Sequence, residues 1–487
     1  MIGIAGILIS LSLLIYMAYR GVSALIVAPL MALVAVLMSF GPPVLASYTQ
    51  VFMPALGHFA VLYFPLFLLG AIFGKLMDDS GSAQAIAEGI VKKLGKNRSI
   101  LSIVLACAIL TYGGVSLFVV AFAVYPIAVA MFQQADIPKR LIPATIALGS
   151  FTFTMTALPG TPAIQNAIPM PYFNTTPFAA PFLGIIAGVI MLSLGMLWLS
   201  CREKSARKRS EGFGSEHEEA KRPQANKSLR EYAQCENFDV MEISPEDRDA
   251  RLKLPSFFLA MLPVILVIVF NYLFTSFIIP AMDTSYLAMP QYGATDITAV
   301  RGIWSIICAL VLSIVVLLML NIKNISSIKR TLDDGASASV LPLFNTASLV
   351  GFGAVIASLP AFALIRDAVL GIAPGNPLIS LSIAVNILAG ITGSASGGMS
   401  IALQTLGGHY LEVSQAAGIS PELMHRVTAI ATGGLDALPQ NGAVITLLTI
   451  CKLTHRQSYG DIFVVAALSP IIALIAVIIL GTLFGSF

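Results

Sequence analysis

The sequence predicts an all-α polytopic membrane protein of about 10–12 spans, made of two inverted-topology repeats. Each repeat holds a re-entrant hairpin and a broken transmembrane helix. Three observations predict this. The 487 residues are 57% hydrophobic and only 11% charged, whereas soluble domains carry about 25% charged residues. Uninterrupted apolar runs at 22–40, 257–280, 303–320 and 462–483 approach or exceed the roughly 20 residues that cross a bilayer as a helix. A pattern of helix breakers also occurs twice. FPLFLLGAIFG from Phe64, TYGGVS from Thr111 and ALPGTPAIQN from Ala157 are followed by LPLFNTASLVG from Leu341, TGSASGGMS from Thr392 and ALPQNGAVIT from Ala437. The offsets are 277 (Pro65 to Pro342), 284 (Gly113 to Gly397) and 280 (Pro159 to Pro439). A β-barrel would show short alternating segments instead.

The first half, 1–200, places crossings at 3–19, 22–40, 60–77, 141–161 and 177–200. The first 19 residues lack a basic start and a small-residue cleavage site, so they read as a retained helix. The second half, 255–487, places crossings at 257–280, 303–321, 339–358, 425–453 and 461–483. Two further apolar stretches, 99–132 and 377–408, are broken near the middle by Gly and Ser. Each reads as a re-entrant hairpin or as two short spans, and both readings return the chain to the same side. Asp78 to Arg98 fits a short amphipathic helix on the cytoplasmic surface, with Ala83, Ile86, Ile90, Val91 and Leu94 on its apolar face. Its counterpart is Leu359 to Ala373.

Between the halves, 201–254 holds twelve acids and twelve bases. It reads as a solvated cytoplasmic tether without a packed core. Arg20, Lys92, Lys93, Lys96, Arg98, Lys139, Arg140, Lys323, Lys329, Arg330, Lys452 and Arg456, with the twelve bases of 201–254, account for 24 of the 28 basic residues. All fall on one proposed face, the cytoplasmic one by the positive-inside rule, which puts both termini outside. Five crossings per half is an odd number, so the second copy enters the membrane inverted.

Breakers inside a membrane free backbone N–H and C=O groups that lipid cannot satisfy. They are tolerated where they line a polar cavity, and half-helix ends there suit an anion and a coupling cation. The candidate site residues follow. The first hairpin gives Thr111, Gly113, Gly114 and Ser116, and the second gives Thr392, Ser394, Ser396, Gly397, Gly398 and Ser400. The first broken span gives Thr156, Pro159, Gly160, Thr161, Gln165 and Asn166. The second gives Asp436, Pro439, Gln440 and Asn441, with Asn345 and Thr346 nearby in the chain's second copy. The bland alternative is that these small residues only let helices pack closely.

Asp436 is the one carboxylate at a predicted break. Proton coupling, substrate-site polarity and capping of the half-helix are three roles it could fill. His425 and Arg426 stand at the outer start of the second broken span and read as an interfacial pair or an anion-attracting one. His58 and His409 read as incidental, and His455 joins a basic cytoplasmic cluster. The five cysteines form no C-x-x-C pair, and no metal or cofactor is indicated. There is no Walker G-x-x-x-x-G-K-[ST], no metal-protease motif and no G-x-S-x-G. The reading is therefore a secondary transporter and not an enzyme, with no nucleic-acid partner.

ALPGTPAIQNAIP at 157–169, TGSASGGMSIAL at 392–403 and GGLDALPQNGAVITLLTICKLTHRQSYGDI at 433–462 resemble the gluconate permease (GntP) family of the ion transporter superfamily. The last block looks closer to the 3-hydroxybutyrate branch than to the gluconate branch. The resemblance covers most of the chain except 201–254. It implies proton-coupled uptake of a small carboxylate across the bacterial inner membrane, and a homodimer with elevator-like motion. Sodium coupling, or a di- or tricarboxylate cargo, is the alternative.

Overall fold

The computed structural model describes residues 2–20, 22–39, 42–95, 98–214, 230, 238–243, 253–373 and 375–487. Most of the expected tether at 201–254, and the basic residue Lys96, lie outside the described residues. Those described are helical or irregular, with no strand among them. Seven helices are long and apolar enough to cross a membrane: Val44–Asp79, Leu117–Gln134, Pro181–Lys208, Phe257–Ala281, Ile297–Asn321, Ile328–Ser358 and His455–Phe484. Shorter apolar helices at Ile2–Tyr19 and Ala24–Met38 match two more expected crossings. The two remaining crossings are broken. One is divided into Ile142–Ser150, Phe153–Thr156, Ile164–Ala167 and Pro169–Phe173, and the other into Pro421–Leu435 and Gly442–Ile450.

The elements recur in order. In each half a long helix with an internal proline is followed by a short helix, two apolar arms, a broken helix and a final long helix. The arms are Ser99–Tyr112 with Leu117–Gln134, and Pro377–Thr392 with Ala395–Ala416. Their tips differ from the sequence alignment. The first turn lies at 113–116, but the second lies at 393–394, with Ser396, Gly397, Gly398 and Ser400 already inside the following helix. The arms are thus offset by 280 (Tyr112 to Thr392) and 278 (Leu117 to Ala395), not 284. The physical reason is packing. A Cβ on Gly398 would collide with the Ala389 backbone of the neighbouring arm, so this glycine serves close approach while Gly393 (φ 62) makes the turn.

Helix contacts come in pairs that exchange the halves. Ala24–Met38 packs on Ile328–Ser358, and Ile297–Asn321 packs on Val44–Asp79. Leu117–Gln134 meets Gly442–Ile450, and Ala395–Ala416 meets Ile164–Ala167. The two proline-bearing helices pack on each other, as do the two final helices. Gly335 allows the first of these contacts, since a Cβ there would lie 2.9 Å from Ile72 Cα. Six helices, the first three of each half, form one group around that contact. The hairpins, broken helices and final helices form a second group beside it.

The short helix Ser82–Leu94 forms where the apolar spacing predicts it. Its Ala83, Ala85, Ile86, Ala87 and Ile90 are buried, and its Gly89 faces the Phe257 ring. Its apolar face is therefore spent on protein. The counterpart Phe362–Leu370 buries no residue.

One ionic cluster ties the second group together. Asp461 is 3% exposed and accepts from Arg140 Nη1 at 2.9 Å, Arg202 Nε at 2.7 Å and Trp198 Nε1 at 3.0 Å. Arg140 also pairs with Glu211 at 2.6 Å, and that hydrogen bond holds the Glu211 carboxyl below its usual range. A depressed carboxyl pKa stabilises above the ordinary value and loses that contribution as pH falls through the lowered one. Asp461→Ala removes an anion shared by three donors. It should cost on the order of 3 kcal/mol, read as a lower unfolding temperature in detergent. Parental stability in that variant would show that the cluster is not what joins these helices.

Candidate functional site

Three breaks converge in the first half. Leu66, Phe67, Gly70 and Ala71 follow Pro65 on the long helix. They line a cleft with Thr111, Gly114, Val115, Ser116 and Leu117 of the hairpin tip and Met155, Pro162, Ala163 and Ile164 of the broken span. The cleft is narrow, with a cavity volume of about 60 Å³, and is partly open. No lining residue is charged. Gly114 has φ 93 and touches Pro162, so only glycine suits that turn. Ser116 caps the 18-residue helix Leu117–Gln134, accepting from Phe118 N at 3.4 Å, and the helix dipole makes that end favourable for an anion. Thr111 Oγ1 and Gln165 Oε1 are buried without a hydrogen-bond partner.

The other candidates near this break hold it in shape. Asn166 Nδ2 donates to Thr161 O at 3.1 Å and Pro177 O at 3.0 Å. Both partners are carbonyls, which fixes the amide orientation. Its Oδ1 then accepts from Arg426 Nη1 and His425 Nε2, each at 3.2 Å. His425 therefore carries its proton on Nε2, and Nδ1 accepts from the Thr175 hydroxyl at 2.6 Å. Arg426 also donates through Nε and Nη2 to Ala179 O at 3.0 and 2.7 Å. Both His425 and Arg426 are 0% exposed. The expectation of an interfacial pair is thus corrected: they are an internal bolt from the second half into the break of the first. Gly160 (φ 79) donates to Pro177 O and accepts from Asn271 Nδ2 at 2.9 Å. Tyr112 Oη donates to Pro159 O at 2.7 Å. Thr161 Oγ1 accepts from Ala163 N, and Thr156 Oγ1 donates to Thr152 O. Gly113 packs on Val264.

In the second half, Asn441 caps Gly442–Ile450, accepting from Val444 N at 2.9 Å, and donates to Gly393 O at 2.8 Å. Gln440 Nε2 donates to Gly390 O at 3.1 Å. Ser394 caps the next arm through Gly397 N at 3.2 Å and shares a hydrogen bond with Ser396. Thr392 Oγ1 donates to Leu388 O at 2.9 Å. Ser400 Oγ and Ser348 Oγ are buried without a hydrogen-bond partner. Asp436 is half-buried at the C-terminal end of Pro421–Leu435. Pro439 is exposed, and its carbonyl accepts from His455 Nε2 at 2.8 Å. Asn345 lies apart from this cluster. Its Oδ1 accepts from Ser23 Oγ and Leu25 N, at the start of Ala24–Met38. Thr346 Oγ1 donates to Pro342 O.

Break and hairpin tip meet within each half, and the cleft is lined by the first half alone, whereas the four half-helix ends were expected to form one site. Sequence reasoning missed Tyr112, Asn271 and the bolting role of Arg426. A buried cation two turns above a break was the available signal for Arg426. Arg426→Met would strand the Ala179 carbonyl, which Nε and Nη2 both serve, at about 1–3 kcal/mol, and would leave Asn166 Oδ1 with His425 alone. We expect poor thermal stability in detergent, and a variant with parental stability would show that the bolt is dispensable.

A GntP family permease profile matches residues 1–483. An uncharacterized transporter of Bacillus subtilis (strain 168), YxjC, is 44% identical over 485 residues, 98% of each chain. An uncharacterized transporter of Haemophilus influenzae is 37% identical over 75 residues, 15% of this chain and 18% of its own. With the helices long and apolar enough to span a bilayer, these place the protein among multi-pass membrane transporters and not enzymes. The chain belongs to the GntP permease family.

Proposed function

We propose that this protein is a secondary active symporter that imports a small hydroxy-monocarboxylate, of the 3-hydroxybutyrate or gluconate type, with protons across the bacterial cytoplasmic membrane. The observation that supports it most is the cleft where the Pro65 helix, the first hairpin tip and the first broken span meet. It offers an unpartnered Thr111 hydroxyl and the N-terminal end of Leu117–Gln134, with no lysine or arginine in its lining. A dipole end and hydroxyls suit one carboxylate. A di- or tricarboxylate would need more counter-charge in so apolar a place. In the second half Asp436 stands beside Gln440 and Asn441, where the first half has no acid, and is our choice for the proton-linked group.

The paired contacts support a two-fold relation of the halves, and the charge distribution supports an inverted one with both termini outside. The halves are unequal in one respect. In the second, Ile328–Ser358 packs closely on Ala395–Ala416, with a Cβ on Gly353 only 3.2 Å from Ile401. In the first, the corresponding helices touch near Gly74, whose Cβ would lie 3.7 Å from Ser116 N, and pack less extensively beside the cleft. Exchange of these two arrangements would open the site alternately to the two sides. The charged segment 201–254 lies on the cytoplasmic side in this reading, and a homodimer is the assembly.

Purified protein in proteoliposomes, offered 3-hydroxybutyrate, gluconate, lactate and citrate under separate proton and sodium gradients, tests the proposal. Proton-driven accumulation of a hydroxy-monocarboxylate is expected, and citrate uptake driven only by sodium would overturn it. Asp436→Asn should keep exchange and lose pH-driven accumulation, and unchanged proton-driven uptake would remove Asp436 from coupling. Thr111→Val deletes an unpartnered hydroxyl at nearly constant volume. Stability should hold while apparent affinity weakens about tenfold, equivalent to about 1.4 kcal/mol. Unaltered affinity would take Thr111 out of the site.

A further inference from the structure

One part of the charged linker is docked on the membrane helices. Phe238 and Val240 are fully buried, and Asp239 and Ile243 are each 5% exposed. The segment is preorganised by its own turn, since Asp239 Oδ1 accepts from Met241 N at 3.1 Å at the start of Val240–Glu242. Arg230 Nη2 grips the other Asp239 oxygen at 2.6 Å. A solvated tether would bury none of these groups, so the expectation for 201–254 fails at 238–243.

The place of docking is informative. Asp239 N donates to Ala338 O at 2.9 Å. Pro342 lies inside the helix Ile328–Ser358. Proline has no N–H, so the carbonyl four residues earlier, that of Ala338, loses its helical donor. The linker supplies that donor. Next to it, Lys75 of the first long helix pairs with Asp79 at 3.3 Å and with Asp334 of the second at 3.6 Å. Glu242 of the docked turn feels the charges of both Lys75 and Asp334. The turn therefore sits where the two proline-bearing helices meet.

We propose that Phe238–Ile243 is an intramolecular strap that completes the Pro342 kink of Ile328–Ser358, beside the Lys75–Asp334 ion pair that joins the two long helices. The linker then sets the bend of Ile328–Ser358. That helix carries Leu349 and Gly353 against the second hairpin's arm. Release of the strap changes how readily the arm moves and so slows transport.

Hydrogen–deuterium exchange of the whole protein in detergent tests this. Peptides over 238–243 should exchange at least tenfold more slowly than those over the exposed loop 282–296. Equal exchange in the parent protein would overturn the strap. Phe238→Ala should abolish the difference and speed exchange around Ala338. Pro342→Ala restores a helical donor to Ala338 O and should expose the Asp239 amide while leaving the fold intact. Unchanged protection of that amide would overturn the capping role. Uptake of 3-hydroxybutyrate by Phe238→Ala should fall at least threefold at equal membrane abundance, and full-rate uptake with protection lost would reduce the strap to a passive contact. This last arm rests on the proposed cargo. A parent inactive on 3-hydroxybutyrate would count against the cargo alone, and the exchange arms would still decide the strap.

Discussion

Lipid offers no hydrogen bonds, so each backbone group freed by a helix break must find its partner within the protein. That constraint organises the molecule. Pro159 O takes the Tyr112 hydroxyl, and Gly160 O takes Asn271. Pro177 and Ala179 carbonyls take Arg426. Gly390 and Gly393 carbonyls take Gln440 and Asn441, Pro439 O takes His455, and Ala437 O takes Tyr459. Ala338 O takes the linker amide. The partners come from far along the chain, so the same bonds that satisfy the breaks also join hairpin to broken helix and one half to the other.

This accounting divides the polar residues at the breaks. Asn166, Gln440 and Asn441 are amides with two-sided hydrogen-bonding capacity, and much of that capacity is already engaged by backbone. They fix the shape of the site. A few other groups are left over, Gln165 Oε1 and some hydroxyls among them. Thr111 in the cleft, and Ser348 and Ser400 in the second half, keep a buried oxygen without a protein partner. An unsatisfied buried polar atom costs about 1–3 kcal/mol, so such atoms persist where a ligand or water completes them. Under the proposed function, recognition falls to hydroxyls and a helix end, and specificity for a short hydroxy acid follows from few contacts held rigidly.

The breaks themselves were legible, because proline inside an apolar run frees backbone groups that lipid cannot satisfy. The order of elements was legible for the same reason. Their partners were not, since Asn166 and Arg426 are 260 residues apart and no local pattern joins them. The glycine pair 397–398 misled the alignment of the hairpin tips because glycine has two uses, turning a chain and letting helices touch. Local sequence cannot separate these, and only the neighbouring Ala389 backbone does. The strap escaped notice because Phe238, Val240 and Ile243 are three apolar residues in a highly charged segment. They gain burial only from a surface that another helix provides.

The Pro65 and Pro342 kinks show why near-symmetry matters more than symmetry. Both prolines free a carbonyl one turn earlier, and both lie within the two long helices that pack on each other. Among the described residues, a linker amide completes the helix from outside it at Pro342 alone. On that side the long helix lies closed against its hairpin arm, with Leu349 and Gly353 in contact with Gly397 and Ile401. On the Pro65 side the long helix and its arm pack less extensively beside the cleft. Two similar units in one chain can hold different shapes only if something biases one of them. A hydrogen bond at the kink, backed by buried Phe238, is a bias of that kind. Under the proposed function, it acts on the helix that changes shape when the two arrangements exchange.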